Sequence, residues 1–388
     1  MSFSTNDGVY MARAIELAKR GRFTTSPNPN VGCVIVNQGK IVGEGWHQKA
    51  GGPHAEVAAL KQAGILAVGA TCYVTLEPCS HFGRTPPCAE ALINAKVGRV
   101  IAAMVDPNPQ VSGSGLAKLN AAGIDTQSGL LETDAKVLNR GFIKRMTEQR
   151  PFVRCKMASS IDGKTALSNG VSQWITSPHA RADVQLFRAQ SCAIISGADT
   201  VLLDNAALNV RWEEATQLQS LLPKAAVRQP IRVIIDTQHR LTPDLRLFEQ
   251  PSKIILIRNS LEKSSQWPQF VEQIAVPCLE GSAKGSVKGS AKGISGKADL
   301  AQVLRLLAKR GLNEIWIEAG ATLSGAFVEQ QLVDELILYQ APKLMGSAGK
   351  PLLNLPQYSS MTQVIELNIN DLRMVGPDIR LTAEPQYS

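Results

Sequence analysis

Between Gly51 and Cys88 the chain carries His54-Ala55-Glu56 and, after the strand-like run Thr71 to Leu76, the segment Glu77-Pro78-Cys79-Ser80-His81 leading through Arg84 to Pro87-Cys88. One imidazole and two thiolates suffice to hold a zinc ion whose fourth position stays open for water. Glu56, outside that ligand set, is the type of residue a zinc deaminase uses to move protons. Taken singly, each cysteine reads as a small buried apolar residue and His54 as a satisfied surface imidazole. Taken in order, His-x-Glu, Pro-Cys and a second Cys match the deaminase signature. Eight residues, rather than the general two, separate Cys79 from Cys88. A longer loop still closes on one metal, because closure entropy grows slowly with length. Zinc-activated water with Glu56 as proton carrier implies attack on a ring carbon bearing an exocyclic amine, as in an aminopyrimidine.

The elements that must position these residues follow from period and punctuation. Residues 9–21 predict an amphipathic helix ending at a glycine. The turn cluster Ser26-Pro27-Asn28-Pro29-Asn30 leads into a strand over 31–36, and Asn37-Gln38-Gly39 turns it into a second strand over 41–46. A helix begins near His54, a strand runs over 71–76, and a helix starts near Pro87. A strand over 99–104, a helix over 115–122, a short strand at Ile124 and one helix over 132–148 complete the first half. Alternation of this kind predicts an α/β domain with a mixed sheet. His54 and Glu56 are two apart, so a metal they serve must lie off the helix start. Cys79, at a strand's carboxyl end, is placed where α/β sheets hold ligands.

The pattern restarts after Arg150-Pro151, predicting domains 1–149 and 150–388. Strands are expected over 152–157, 193–195, 231–236, 253–257 and 314–318, with helices over 178–189 and 300–309. Gly320-Ala321-Thr322-Leu323-Ser324-Gly325 follows a strand and opens a helix, so its N–H groups could hold an anion; without a G-x-G-x-x-G fingerprint it also reads as a plain structural turn.

The 388 residues carry a formal charge of +8, but four of the lysines sit in the low-complexity Gly/Ser/Lys repeat over 281–297. That discounts the charge as a nucleic-acid footprint. Seven cysteines, an odd number, argue against a disulfide framework. The N-terminus lacks a signal-peptide pattern and no long apolar run is present, so a cytoplasmic protein is expected, without membrane or nucleic-acid partners.

The run Thr75 to His81 with Gly83 to Cys88 resembles the bifunctional riboflavin-biosynthesis deaminase–reductase family, in which the eight-residue spacing is the expected one. The resemblance continues through Asp106-Pro107-Asn108-Pro109 and Ser172-Gln173-Trp174-Ile175-Thr176-Ser177, covering about residues 8 to 383. It implies an α/β protein: an N-terminal cytidine-deaminase-like αβα domain and a C-terminal dihydrofolate-reductase-like domain. It further implies Zn2+ on His54, Cys79 and Cys88, Glu56 as catalytic residue, and deaminase-substrate contacts at Asn28, His47, Arg84, Asp106 and Asn108. NADPH is expected against Ala158, Trp174, Thr200, Asp204, Thr237 and the phosphate-cradling loop Gly320, Ala321, Thr322, Leu323, Ser324, Gly325 and Ala326. The reductase substrate is expected at Ser172, Arg188, Leu208, Arg211 and Glu318, with Lys156 and Asp162 as nearby polar groups. A phosphoribosylaminopyrimidine would be the small-molecule substrate, and a homo-oligomer, dimer or tetramer, is implied.

Two other readings compete. A deaminase of nucleic-acid bases would use the positive charge, yet Arg84 is the one basic residue between Lys61 and Lys96. Zinc as a structural staple leaves Glu56 unexplained and wants a fourth protein ligand.

Overall fold

The computed structural model describes residues 3–80, 86–109, 111–261, 267–277 and 297–387. It divides into two compact units, Met1–Arg150 and Pro151–Ser388.

The first unit runs α1 (Thr5–Lys19), β1 (Gly32–Asn37), β2 (Lys40–Trp46), α2 (Ala55–Ala63), β3 (Thr71–Val74), α3 (Cys88–Asn94), β4 (Arg99–Ala102), α4 (Ser114–Ala121), β5 (Asp125–Ser128), α5 (Glu132–Leu138) and α6 (Arg140–Glu148). Helix α1 starts four residues before the expected Val9 because Ser4 and Asp7 close a capping box, 3.1 and 2.8 Å. The sheet has order β2-β1-β3-β4-β5. β1 is antiparallel to β2 and β3, and β3, β4 and β5 are parallel. Buried side chains fill both faces: Met11, Leu17 and Ile101 on one, Ile35, Leu92 and Leu119 on the other.

Helix α2 rests almost directly on β2. A Cβ on Gly43 would stand 2.2 Å from the Ala59 carbonyl oxygen, and one on Gly45 would stand 2.3 Å from that of Ala55. The missing side chains thus set the depth of the helix start that carries His54 and Glu56.

The single helix expected over 132–148 is two. The chain breaks at Asn139 (φ −126°, ψ 21°). Its buried side chain accepts from the Asn30 N–H at 2.7 Å and donates to the Asn30 carbonyl at 2.9 Å. A residue that pairs a distant backbone in this way holds both helix ends around itself.

The second unit runs β6 (Phe152–Ser160), β7 (Lys164–Ala166), α7 (Pro178–Gln190), β8 (Ala193–Gly197), α8 (Ala198–Asp204), α9 (Thr216–Leu221), β9 (Ile231–Ile235), β10 (Ile254–Arg258), β11 (Val271–Ala275), α10 (Leu300–Lys309), β12 (Glu314–Glu318), α11 (Ala321–Glu329), β13 (Glu335–Ala341), β14 (Lys350–Pro351), β15 (Glu366–Val375) and β16 (Asp378–Gln386). Nine strands form one sheet in the order β11-β10-β9-β8-β12-β6-β13-β16-β15. It is parallel from β11 to β13 and antiparallel at β16 and β15. Its central parallel strands are buried apolar runs, as a sheet covered on both faces requires. β11 and α8 went unread in the sequence: β11 is the half-buried, partly polar edge, and α8 is a short helix following directly on β8.

Candidate functional site

His54 is the N-cap of α2, with extended backbone that turns its ring off the helix end. Cys79 follows β3, and Cys88 opens α3. Their ligand atoms lie within 4.8 Å of one another. His54 Nδ1 is 3.2 Å from Cys88 Sγ and 3.6 Å from Cys79 Sγ, and the Cys88 N–H donates to Cys79 Sγ at 3.3 Å. Hydrogen bonding from the Cys88 thiol, then from His54 and the Cys88 N–H, holds Cys79 down to about 4 against its burial. The same hydrogen bond, with burial, pushes Cys88 far up. Both sulfurs can be thiolates at this distance only with a cation between them, so the donor set fits a thiophilic dication such as zinc.

Glu56, one turn-start deeper, is 3% exposed. Burial is the main cause that pushes its carboxyl up to about 6. His47 is also buried; its Nδ1 meets the Pro53 carbonyl at 2.9 Å and its Nε2 meets Asn28 Nδ2 at 3.0 Å. A carbonyl accepts only from N–H, so Nδ1 carries the proton and Nε2 accepts from Asn28. Burial lowers the pKa of His47 and keeps the ring neutral. The ring stands edge-on to His54, centroids 5.4 Å apart. Asn28, His47, His54 and Glu56 therefore share one neighbourhood.

Asp106 and Asn108 sit beyond β4 in a turn where Asp106 Oδ1 accepts from the Asn108 N–H at 2.8 Å. Asp106 N–H in turn donates to Glu77 Oε2 at 3.0 Å. Arg84 lies outside the described residues, as does His81. Asn139 and Glu77 are positioning groups that no periodicity flags; their distant backbone partners exist only once the chain is folded.

In the second unit, Ala158, Thr200, Thr237 and Gly320 stand at or just past the carboxyl ends of β6, β8, β9 and β12, four strands adjacent in the sheet. This edge of a parallel sheet is where such folds take ligands. Gly197 and Leu323 lie against one another: a Cβ on Gly197 would be 3.3 Å from Leu323 Cδ2. Residues 321–326 form the first turns of α11 rather than a loop, with Ser324 and Gly325 buried on its inner side. The Ser324 N–H is already spent on the Gly320 carbonyl at 3.1 Å. The N–H groups ahead of Ser324 are the orphans of a helix start. A Cβ on Gly320 would meet nothing within 4 Å. Open space before a helix N-terminus fits a dinucleotide phosphate.

Glu318 accepts from Arg188 Nε and Nη2, both at 2.6 Å, and from Trp316 Nε1 at 2.6 Å. Although burial opposes it, the Arg188 guanidinium holds this carboxyl down to about 2. Arg188 Nη1 donates to the Asn209 carbonyl at 2.7 Å, and Gln185 Oε1 accepts from the Arg211 N–H at 2.9 Å. Helix α7 thereby carries Leu208 and Arg211 to the Arg188–Glu318 pair. Arg211 itself pairs with Glu214 at 2.9 Å.

Lys156 is in register with Glu318 across β6 and β12. Burial lowers its pKa, with Glu318 and Asp204 pulling the other way. Burial raises Asp204 while Lys156 pulls it down. Trp174 is 64% exposed, not core. The Arg181 guanidinium lies 4.3 Å from its ring centroid, and its carbonyl accepts from Lys343 Nζ at 2.7 Å. Ser172 is half-buried two residues earlier. Asp162 is used in the fold: it accepts from the Met345 and Gly346 N–H groups at 3.0 and 2.8 Å.

The Cytidine and deoxycytidylate deaminase zinc-binding region matches residues 4–104, and the RibD C-terminal domain matches residues 151–381. The riboflavin biosynthesis protein RibD of Escherichia coli (strain K12) is 52% identical over 376 residues, covering 97% of this chain and 98% of its own. Its counterpart from Haemophilus influenzae is 48% identical over 387 residues, covering 100% and 99%. The structure of Acinetobacter baumannii RibD, form 1, superposes with a TM-score of 0.85 at 42% identity, over 98% of this chain and 99% of that one. A diaminohydroxyphosphoribosylaminopyrimidine deaminase/5-amino-6-(5-phosphoribosylamino)uracil reductase from Thermotoga maritima gives 0.82 at 32% identity, over 98% and 99%.

Proposed function

This chain belongs to the bifunctional deaminase–reductase family of riboflavin biosynthesis, and from that premise we propose which of its residues carry each reaction. The enzyme hydrolytically deaminates 2,5-diamino-6-ribosylamino-4(3H)-pyrimidinone 5′-phosphate, then reduces the ribosyl side chain with NADPH to give 5-amino-6-(5-phosphoribitylamino)uracil. Residues 1–149 are assigned to the deaminase and 150–388 to the reductase.

His54, Cys79 and Cys88 would hold the zinc, which when bound supplies Lewis-acid activation of water. Glu56 takes a proton from the attacking water, gives it to the ring nitrogen and helps the 2-amino group leave as ammonia. A carboxyl lifted to about 6 by burial is suited to both halves of that transfer. Asn28 and His47, with the imidazole neutral, orient the pyrimidinone, and Asp106 and Asn108 bind at its rim with Arg84.

NADPH, when bound, supplies hydride to C1′ of the ribosylamino group. The start of α11, Gly320 to Ala326, with Ala158, Trp174, Thr200, Asp204 and Thr237, is assigned to the dinucleotide. Ser172, Arg188, Leu208, Arg211 and Glu318 are assigned to the substrate, where the Arg188–Glu318 pair presents a fixed, fully ionised surface. The same reading makes the protein a cytoplasmic homo-oligomer, dimer or tetramer. The six cysteines free among the described residues suit a reducing compartment.

The observation that carries the reading is the convergence of His54, Cys79 and Cys88 beside a buried Glu56. Wild type given the diaminopyrimidinone phosphate and NADPH should release ammonia and then consume NADPH. Glu56→Ala should keep its zinc, release no ammonia, and still reduce the deaminated intermediate when that is supplied. A zinc-loaded wild type that released no ammonia from this substrate would overturn the assignment.

A further inference from the structure

Glu77 sits between β3 and Cys79 with its side chain 4% exposed, and no Lys, Arg or His pairs with it among the described residues. Its carboxylate accepts four backbone N–H groups instead. Oε2 takes Asp106 at 3.0 Å and Gly113 at 2.9 Å; Oε1 takes Gly115 at 2.8 Å and Leu116 at 3.3 Å. Three of the four belong to the start of α4, whose orphan N–H groups and positive dipole end want an anion. The fourth belongs to the turn that carries Asp106 and Asn108.

The glycines make this approach possible. A Cβ on Gly115 would stand 1.9 Å from the Pro78 carbonyl oxygen, so only glycine lets α4 come down onto the Glu77-Pro78 backbone. Gly113 takes φ +79°, a conformation that side chains resist. Ser80 Oγ and Ser114 Oγ, 2.7 Å apart, add a second tie to the same helix start.

From this geometry we propose that Glu77 is a positioning residue for deaminase substrate binding: one buried carboxylate ties Asp106 and the start of α4 to the strand end that presents Cys79. The inference rests on the reading that Asp106 and Asn108 contact the pyrimidine substrate. Through them Glu77 sets the affinity of the rim, while Glu56 and the ligand set do the chemistry.

Glu77→Gln tests it, because the amide is nearly isosteric yet its NH2 opposes two of the four donors. In the full-length, zinc-loaded enzyme the variant should keep its zinc and its reductase rate on the deaminated intermediate. The deaminase KM should rise about 10-fold or more with kcat within about 3-fold, since only rim binding is weakened. Amide hydrogen exchange should accelerate across residues 105–116. Asn108→Ala separates the two claims. If it raises KM and Glu77→Gln does not, the positioning role is wrong; if it leaves KM unchanged, the substrate reading beneath it is wrong. Loss of zinc, or a fall in kcat with KM unchanged, would also overturn the proposal by making Glu77 a support of the metal centre. Should the Gln variant fail to fold, Glu77→Asp, one methylene short of the same donors, carries the same expectation. An unchanged KM there overturns it equally.

Discussion

Two buried glutamates, one in each unit, are driven in opposite directions. Burial lifts Glu56 to about 6, whereas Glu318, its side chain 13% exposed, is held at about 2. The difference is the partner. Glu318 lies in the fork of Arg188 and under Trp316 Nε1; no guanidinium faces Glu56 among the described residues. Burial alone makes a proton carrier, and burial with a bidentate cation makes a fixed charge. Those are the two services that the proposed reactions need: protons moved on a pyrimidine ring, and a charged floor that does not titrate beside a reducing cofactor.

The comparison breaks most visibly at Arg188. Arg188→Met should leave Glu318 buried without its counter-charge and cost about 3–5 kcal/mol of stability, read by urea denaturation of the whole chain. Glu318 should then titrate upward, toward the behaviour of Glu56, and the reductase rate should fall while ammonia release persists. Retained stability and an unmoved Glu318 would show that Lys156 and Trp316 Nε1, rather than Arg188, hold it down.

Acid sharpens the contrast. Glu318 is lowered from 4.5 to about 2, so it binds its proton more weakly folded than unfolded. Its contribution is therefore fully present above about 4.5 and is lost as pH falls through 2. The stability gap between wild type and Glu318→Gln should narrow over that window; a gap that stays constant from pH 5 to about 2 would contradict the assigned shift.

A smaller effect belongs to the first unit, at Asn139, a neutral strut where Arg188 and Glu318 are charged. Asn139→Ala strands the Asn30 N–H and carbonyl and should cost about 1–3 kcal/mol, seen as a lower melting temperature. The Asn28 turn is thereby loosened, and ammonia release should show a modest rise in KM. A loss as large as that of Arg188→Met would erase the distinction between neutral and charged struts.

How legible each unit was follows the same division. His54, Glu56, Cys79 and Cys88 stand in two short runs whose residue types already name a chemistry, and the strands around them announce themselves by apolar blocks between glycine and proline turns. The helix over 132–148 misled because its local pattern continues through Asn139, and the Asn30 backbone that breaks it is remote in sequence. In the second unit, the run after Gly320 reads as a loop only until α11 is seen to begin at Ala321. Arg188 and Glu318 are two charges among many until α7 is laid across β12.

The sequence by itself determined the donor types, their order, and the alternation of strand and helix, because ligand chemistry and hydrophobic period are properties of local runs. Tertiary structure alone decided which charges meet. It set Glu318 against Arg188 and, among the described residues, left Glu56 without such a partner, and it gave the four N–H groups around Glu77 a common acceptor. Electrostatic state depends on burial and neighbours a few ångströms away, and Asp106, whose N–H meets Glu77, and Arg188, which meets Glu318, lie 29 and 130 residues from their partners.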